Sequence, residues 1–447
     1  MANEEPTVLI IGAGTFGTSI AFHLAESYKD PSRVTVVDRW APSSQNDKPS
    51  ASYDTNRVVR TDYRTLTYSN LAFESIHPWF WNIHLQGHFH KTGWIALDEE
   101  GSDLSQSVRE VFKSRGSDYT ETIDLQALNA GKCNWGDVTK GTCVDGFSNA
   151  YFNPEAGWCN AACATAAYMQ AAVDRGVNRI TGEVDHLIFN QNNGGIEGVE
   201  MRDGKTLKAK KVVLAAGAWT SSLLSPIEEK IAANENIEQQ VKAVGHVSAY
   251  YTLSDDEVRR FEQSKLPVIC YGQLGEVIPP SSQNKTLKFN NSHTDIVNTI
   301  TTKSGAKISV PPSTRSQLEV PEKLKRETED LILSRLLPEF TRQRRPTHWR
   351  ICYDAVTPTE DLLMCKHPNQ QLNNLYLAVG GSFHSYKFLP VAGKYMINVL
   401  KGNTNGEEKD RIWGWKSAET LRQSERLYKG RERRELKDYE EGTKARL

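Results

Sequence analysis

Short apolar runs, each ending in a glycine turn, punctuate this chain. The first, Thr7-Val-Leu-Ile-Ile-Gly12, leads straight into Gly12-x-Gly14-x-x-Gly17, and a second, Arg33-Val-Thr-Val-Val-Asp38, ends in an acid. Unbroken apolar runs of this length, bounded by turns, predict buried strands. With a helix near 15–27 between them, residues 7–38 read β-α-β. Gly12 permits the tight turn, Gly14 lets the backbone approach a pyrophosphate, and Gly17 lets helix and strand pack closely. The helix N-terminus offers free N–H groups and a favourable dipole to the phosphates. Asp38 stands 21 residues past Gly17, where a carboxylate takes a ribose diol. The expected ligand is FAD or NAD.

The pattern continues with an alanine-rich helix over 160–176 that stops at Gly176, then β-structure from about 179 to 214. Lys211-Val-Val-Leu-Ala-Ala-Gly-Ala-Trp219 is a buried strand entering a small-residue turn, and Leu375-Tyr-Leu-Ala-Val-Gly-Gly381 is another, followed by a helix around 390–401. Segment 244–290 alternates apolar and polar residues, as antiparallel strands do, and 320–336 has the period of an amphipathic helix. This predicts an α/β protein with a discontinuous, Rossmann-like nucleotide-binding domain (1–85, 150–230 and 337–447). A β-rich α+β substrate domain (86–149 and 231–336) is inserted into it.

Composition narrows the class. With 54 basic and 55 acidic residues the net charge is −1, which gives no reason to expect nucleic acid or an anionic membrane as partner. No run of 18 apolar residues occurs, so no transmembrane span is expected, and the acidic start MANEEP argues against a signal peptide. The seven cysteines are scattered without a CxxC pair, so reduced thiols in an intracellular setting are expected. His88-Phe-His90 lacks further ligands nearby and reads as a surface strand; no metal is expected. Ala445-Arg446-Leu447 is a close variant of the SKL address. After the highly charged tail 417–444 it predicts a peroxisomal location through the import receptor, with the cytoplasm as alternative.

Three separated segments, the N-terminal fingerprint, Gly198-Val-Glu-Met-Arg-Asp-Gly through Trp219, and Ala378-Val-Gly-Gly-Ser-Phe-His-Ser-Tyr-Lys-Phe388, resemble the FAD-dependent amine oxidases of the D-amino-acid-oxidase superfamily. Within it the chain is similar to monomeric sarcosine oxidase and the fructosyl amino acid oxidases (amadoriases). The resemblance implies their fold, a monomer, and FAD attached through a cysteine thioether. Arg350-Ile-Cys-Tyr-Asp354 puts that link on Cys352, with Cys365 as the competing thiol. It further implies cofactor contacts from Gly12, Gly14, Thr15, Phe16, Gly17, Asp38, Arg39, Ser50, Thr55, Arg57, Val184, Ala216, Gly217, Trp219, Gly381, Phe383, His384 and Lys387. In the loop Ser50-Ala-Ser-Tyr-Asp-Thr-Asn-Arg-Val-Val-Arg60, Arg57 matches a residue near the flavin ring and Arg60 the anchor of a substrate carboxylate. Lys387 shares that anchor, and Tyr386 packs on the ring at the substrate side. Lys288 matches the lysine that activates oxygen, with Lys285 as the nearby alternative.

Two positions depart from the pattern. Where amadoriases carry an acid four residues after the oxygen-activating lysine, this chain has Ser292, and Phe383 replaces the glycine before the flavin histidine. Both put a fructosyl substrate in doubt. The activity the resemblance implies is oxidation of the secondary amine of an amino acid (N-methyl, fructosyl, saccharopine or pipecolate type) to an imine, with oxygen reduced to hydrogen peroxide. One alternative is a biosynthetic oxidase of N-methyl aromatic amino acids whose iminium closes a C–C bond. Another is a flavin dehydrogenase with a non-oxygen acceptor. A third is a non-catalytic nucleotide-binding protein.

Overall fold

The computed structural model describes residues 6–41, 48–192, 194–233, 235–427 and 432–440; the C-terminal Ala445-Arg446-Leu447 lies outside them. The apolar run Val8–Ile11 lies at the centre of a six-stranded sheet. The order is Leu363–Lys366, Leu375–Val379, Lys211–Leu214, Val8–Ile11, Val34–Asp38, Asn178–Thr181. All neighbours are parallel except the Leu363–Lys366 edge. A central strand covered on both faces has no polar side, which explains the unbroken apolar run. Val8 and Ile10 point into one core, shared with the helices Thr15–Ser27, Ala161–Asp174 and Ala392–Lys401. Leu9 and Ile11 point into another, shared with the helix Thr220–Lys230 and a small antiparallel sheet over 184–208.

The second sheet has nine strands. It runs His348–Val356, Lys242–Thr252, Thr286–Val297, Gly275–Ile278, Val268–Tyr271, Trp94–Glu99, Phe147–Asn153, Glu121–Thr122, with Glu432–Glu435 pairing on Thr286–Val297. One face carries a core of Val247, Ala249, Tyr251, Leu287, Phe289 and Val277, packed under the helices at 255–264 and 322–333. The alternate residues face the nucleotide-binding half, and the site forms between the two sheets.

The expected architecture is present: a doubly wound nucleotide sheet with a β-rich insertion. Two details differ from the sequence reading. The helix expected over 320–336 runs as an α-helix over Glu322–Thr328 and widens into a π-turn at Glu329–Leu333. The strands His348–Val356 and Glu432–Glu435, assigned by pattern to the nucleotide domain, pair in the second sheet. His348–Val356 is buried along most of its length and would show the same pattern in either sheet, and the charged Glu432–Glu435 has no apolar pattern at all, so periodicity alone places neither. His90, read as part of a surface strand, is half-buried and stacks on Trp158 at 4.1 Å. Among the described residues no helix is long and apolar enough to cross a membrane.

Candidate active site

A cavity of about 540 Å³ runs between the sheets from Gly12 to Lys387. At its nucleotide end the glycines act as their spacing requires. Gly12 has φ +105° and a Cβ there would stand 2.4 Å from the Ala215 carbonyl oxygen; at Gly17 a Cβ would stand 1.8 Å from the Gly12 carbonyl oxygen. At Gly14 a Cβ would meet Ser52 Oγ at 3.0 Å. That hydroxyl accepts the Thr15 N–H at 2.8 Å. Asp38 ends its strand with Oδ2 accepting the Ala13 N–H (2.7 Å) and Oδ1 the Trp40 N–H (3.0 Å), so the acid also locks the glycine turn. Arg39 pairs with Glu183 at 3.0 Å and lies over the rings of Trp40 and Trp219.

The middle of the site is built around Asp54, which is fully buried. Its Oδ2 pairs with Lys288 Nζ and with Arg57 Nη1, both at 2.7 Å, while its Oδ1 accepts Tyr250 Oη (2.9 Å) and the Thr55 N–H (2.7 Å). Burial by itself raises the pKa of this carboxyl. The cations Lys288, Arg57 and Arg350 overcome that effect and hold it well below the usual carboxylate range. Burial, with the nearby Arg57 cation, lowers the pKa of Lys288, and Asp54 opposes the shift. Arg57 also donates from Nη2 to the sulfur of Cys352 at 3.0 Å and to the Ala51 carbonyl. Arg350 donates to the carbonyls of Tyr53 (3.1 Å) and Ser50 (2.9 Å), tying the loop to the second sheet.

At the far end Arg60 lies 5.0 Å from the ring centroids of both Tyr63 and Trp94 and donates to the Asp62 carbonyl. The buried Asp62 carboxylate is held by Tyr151 Oη and Asn153 Nδ2, each at 2.8 Å. Lys387 donates to Tyr63 Oη at 2.9 Å and to the His384 carbonyl. Burial, and then repulsion from Arg60, hold its pKa well below the lysine range. The half-buried Arg60 and the buried Lys387 face one cavity and form a natural anchor for a carboxylate.

Between these ends the turn after Leu375–Val379 has Gly380 at φ +83°, Ser382 at +46° and Phe383 at +60°. Phenylalanine rarely adopts this left-handed region. Here its N–H donates to Asp354 Oδ2 (2.9 Å) and its ring stacks on His246 at 3.7 Å, 12° from parallel. His246 in turn meets Asp295 at 2.9 Å. The ring that stands in place of the family's glycine therefore helps close the pocket wall.

The sequence-predicted residues all line this cavity except Gly17, Arg39, Thr55, Val184 and Lys288. Gly17 packs behind the turn. Thr55 donates its N–H to Asp54, Lys288 is fully buried and paired with Asp54, and Val184 begins a strand of the small sheet. Ser292 does line the cavity, and Lys285 is half-exposed and paired with Asp255. Sequence reasoning missed Asp54, Arg350, Tyr250, Asp62 and Glu276. An acid three residues before Arg57 in the quoted loop is the one available signal for Asp54; Asp62 lies two residues past Arg60 in the same stretch of chain, and Tyr250, Glu276 and Arg350 come from distant strands.

These features fit a dinucleotide. The glycines let the turn pack directly against Ala215 and the following helix, the N-terminus of that helix borders the cavity, and the cavity is continuous from there to Arg60 and Lys387. Comparison with known proteins agrees. Residues 7–399 match the family of FAD dependent oxidoreductases (DAO), and the chain belongs to that family. L-saccharopine oxidase of Schizosaccharomyces pombe is 24% identical over 92% of this chain and 93% of its own length. Amino acid oxidase fsqB of Aspergillus fumigatus is 23% identical over 88% and 92%. Among solved structures, a modified fructosyl peptide oxidase from Aspergillus nidulans superposes with a TM-score of 0.80 at 25% identity, covering 97% of this chain and 98% of that one. The chain is thus an FAD-dependent oxidoreductase whose relatives are amino acid oxidases.

Asp54→Asn strips the counter-charge from two buried cations and should cost about 3–5 kcal/mol of stability. Because the native pKa of Asp54 is lowered, its contribution is fully present above about pH 4, where an unfolded Asp titrates, and is lost as pH falls below that. Urea unfolding of both proteins from pH 7 to pH 3 should show the gap narrowing below about pH 4. A gap independent of pH would remove the ion pairs as its cause.

Proposed function

We propose that the protein oxidises the secondary amine of an amino acid, using FAD joined covalently to Cys352 and oxygen as the electron acceptor. The observation that carries this reading is that one cavity joins the glycine cradle, Cys352, Arg57 and the Arg60–Lys387 pair, with Lys288 tied to Arg57 through their shared partner Asp54. When bound, the flavin takes a hydride equivalent from the carbon beside the amine and returns two electrons to oxygen. Two hydrogens leave the C–N unit and two arrive on oxygen. One imine and one hydrogen peroxide therefore form for each oxygen consumed, and water hydrolyses the imine.

The chain's own residues supply position and charge. Arg60 and Lys387 bind the carboxylate, and the arriving anion restores the proton affinity that burial removes from Lys387. Tyr63 and Trp94 flank the Arg60 side and keep water from it. Lys288 supplies a fixed positive charge for oxygen reduction, held in place by Asp54 rather than by solvent. Cys352 is the favoured attachment point because it lines the cavity beside a guanidinium, the setting in which a sulfur acts as nucleophile. Cys365 sits on the edge strand Leu363–Lys366 outside the cavity, where burial pushes its thiol up to about 12. Two of the relatives are named for saccharopine and for fructosyl peptides, compounds that both carry a secondary amine. The enzyme acts as a monomer, and the C-terminal Ala445-Arg446-Leu447 directs it to the peroxisome, where peroxide is removed.

Peroxide release in air against sarcosine, N-methyl aromatic amino acids, pipecolate, saccharopine and fructosyl-valine should show turnover of at least one secondary amine, with one peroxide per imine. Purified, flavin-loaded protein that reduces its flavin with none of them would overturn the reading; flavin reduced but not reoxidised by air would make it a dehydrogenase.

Cys352→Ser should release its flavin on acid precipitation while Cys365→Ser retains it. Flavin still attached to peptide in the Cys352 variant would move the link elsewhere.

A further inference from the structure

The strand pairing of the second sheet places an acid on the cavity wall. Glu276 lies opposite Cys270 on one side and Asn290 on the other, Asn290 lies opposite Ser248, and Ser248 opposite Arg350. Directly paired residues project from the same face of a sheet, so these side chains form one row across it. The neighbouring row contains Ile278, Lys288, Tyr250 and His348. Along its own strand Ser292 follows Lys288 and Asn290 at period two, on the same face, so the serine at the departure position and the Glu276 carboxylate belong to one wall.

The Glu276 carboxylate is held in place. Oε1 accepts Asn290 Nδ2 at 2.7 Å, and Asn290 Oδ1 in turn accepts Ser248 Oγ at 2.6 Å. Among the described residues Oε2 has no hydrogen-bond or ion-pair partner, and the side chain is half-buried on the cavity. Its negative charge acts on Lys387, opposing the effect of burial on that ammonium. The cavity therefore has two poles: the cations Arg60 and Lys387 on the loop side, and a braced carboxylate with one open oxygen on the sheet side.

A simple N-methyl amino acid fills the first pole and leaves the second unused. We infer that Glu276 forms a second substrate subsite, which binds a cationic nitrogen on the arm that the secondary amine carries away from the carboxylate. This rests on the secondary-amine reading above. It names the substrate class as amino acids whose amine bears a chain ending in an ammonium or guanidinium. A charge-assisted hydrogen bond at a partly desolvated site discriminates strongly against a neutral chain end.

The test uses the FAD-loaded enzyme and two substrates of equal length, N-(5-aminopentyl)glycine and N-hexylglycine. The wild type should favour the ammonium-ended compound at least 10-fold in kcat/KM. Glu276→Gln should collapse that ratio at least 10-fold, with the change in KM rather than kcat, and Glu276→Asp should recover part of it. Calorimetric binding of the same pair, which needs no turnover, should show the same loss of preference. A ratio and a binding preference that are both unchanged in Glu276→Gln would overturn the subsite while leaving amine oxidation standing. A Glu276-dependent binding preference without turnover of either compound or of any amine in the panel above would keep the subsite and overturn the oxidase reading.

Discussion

The Asp54 carboxylate holds Lys288 and Arg57 at 2.7 Å each while shut away from water. Such a group is costly to bury, and its cations are costly to bury without it. Only the assembled arrangement is tolerable, and assembling it brings three parts of the chain together. Asp54 and Arg57 come from the loop that crosses the site, and Lys288 from the strand Thr286–Val297. Arg350, reaching back to Tyr53 and Ser50, comes from the strand that also carries Cys352. Arg57 is thereby fixed on the cavity wall, and the cluster carries more positive charge than Asp54 alone can neutralise. In the proposed reaction such preorganised charge helps oxygen reduction, since no solvent needs to reorient during the step.

The nucleotide-binding half is legible in the sequence because its constraints are local. Gly12, Gly14 and Gly17 sit close together around one turn; backbone of that turn and of the adjoining strand end at Ala215 leaves no room for a side chain at Gly17 and Gly12, and the Ser52 hydroxyl crowds Gly14. The apolar runs that precede the turns report strands covered on both faces, which the sheet order explains. The charged centre is legible only in part. Arg57, Arg60, Lys288 and Lys387 enter through the family resemblance. Asp54 and Glu276 acquire their meaning from partners far away in sequence, and a lone acid in a loop or on a short strand carries no periodic signal. The same limit explains why periodicity alone does not place His348–Val356 in the second sheet.

The two departures from the family pattern have structural counterparts. Phe383 accepts a left-handed backbone and stacks on His246, which extends the pocket wall from the nucleotide turn into the second sheet. Ser292 gives up an acid on one strand, but Glu276 supplies one on the next, braced through Asn290 and Ser248. In the proposed reading Arg60 and Lys387 hold the carboxylate, and the wall opposite them, with Ser292 and Glu276, is where a substrate's second arm would lie.

The most direct measurement of the account separates the two halves of the reaction in Lys288→Met by stopped-flow absorbance. The enzyme is first reduced by substrate without oxygen and then mixed with oxygenated buffer. If Lys288 is the fixed cation for oxygen, flavin reduction keeps its rate within a few-fold while reoxidation slows roughly 100-fold or more. Equal slowing of both steps would contradict the account and make the Asp54–Lys288 pair a structural brace alone.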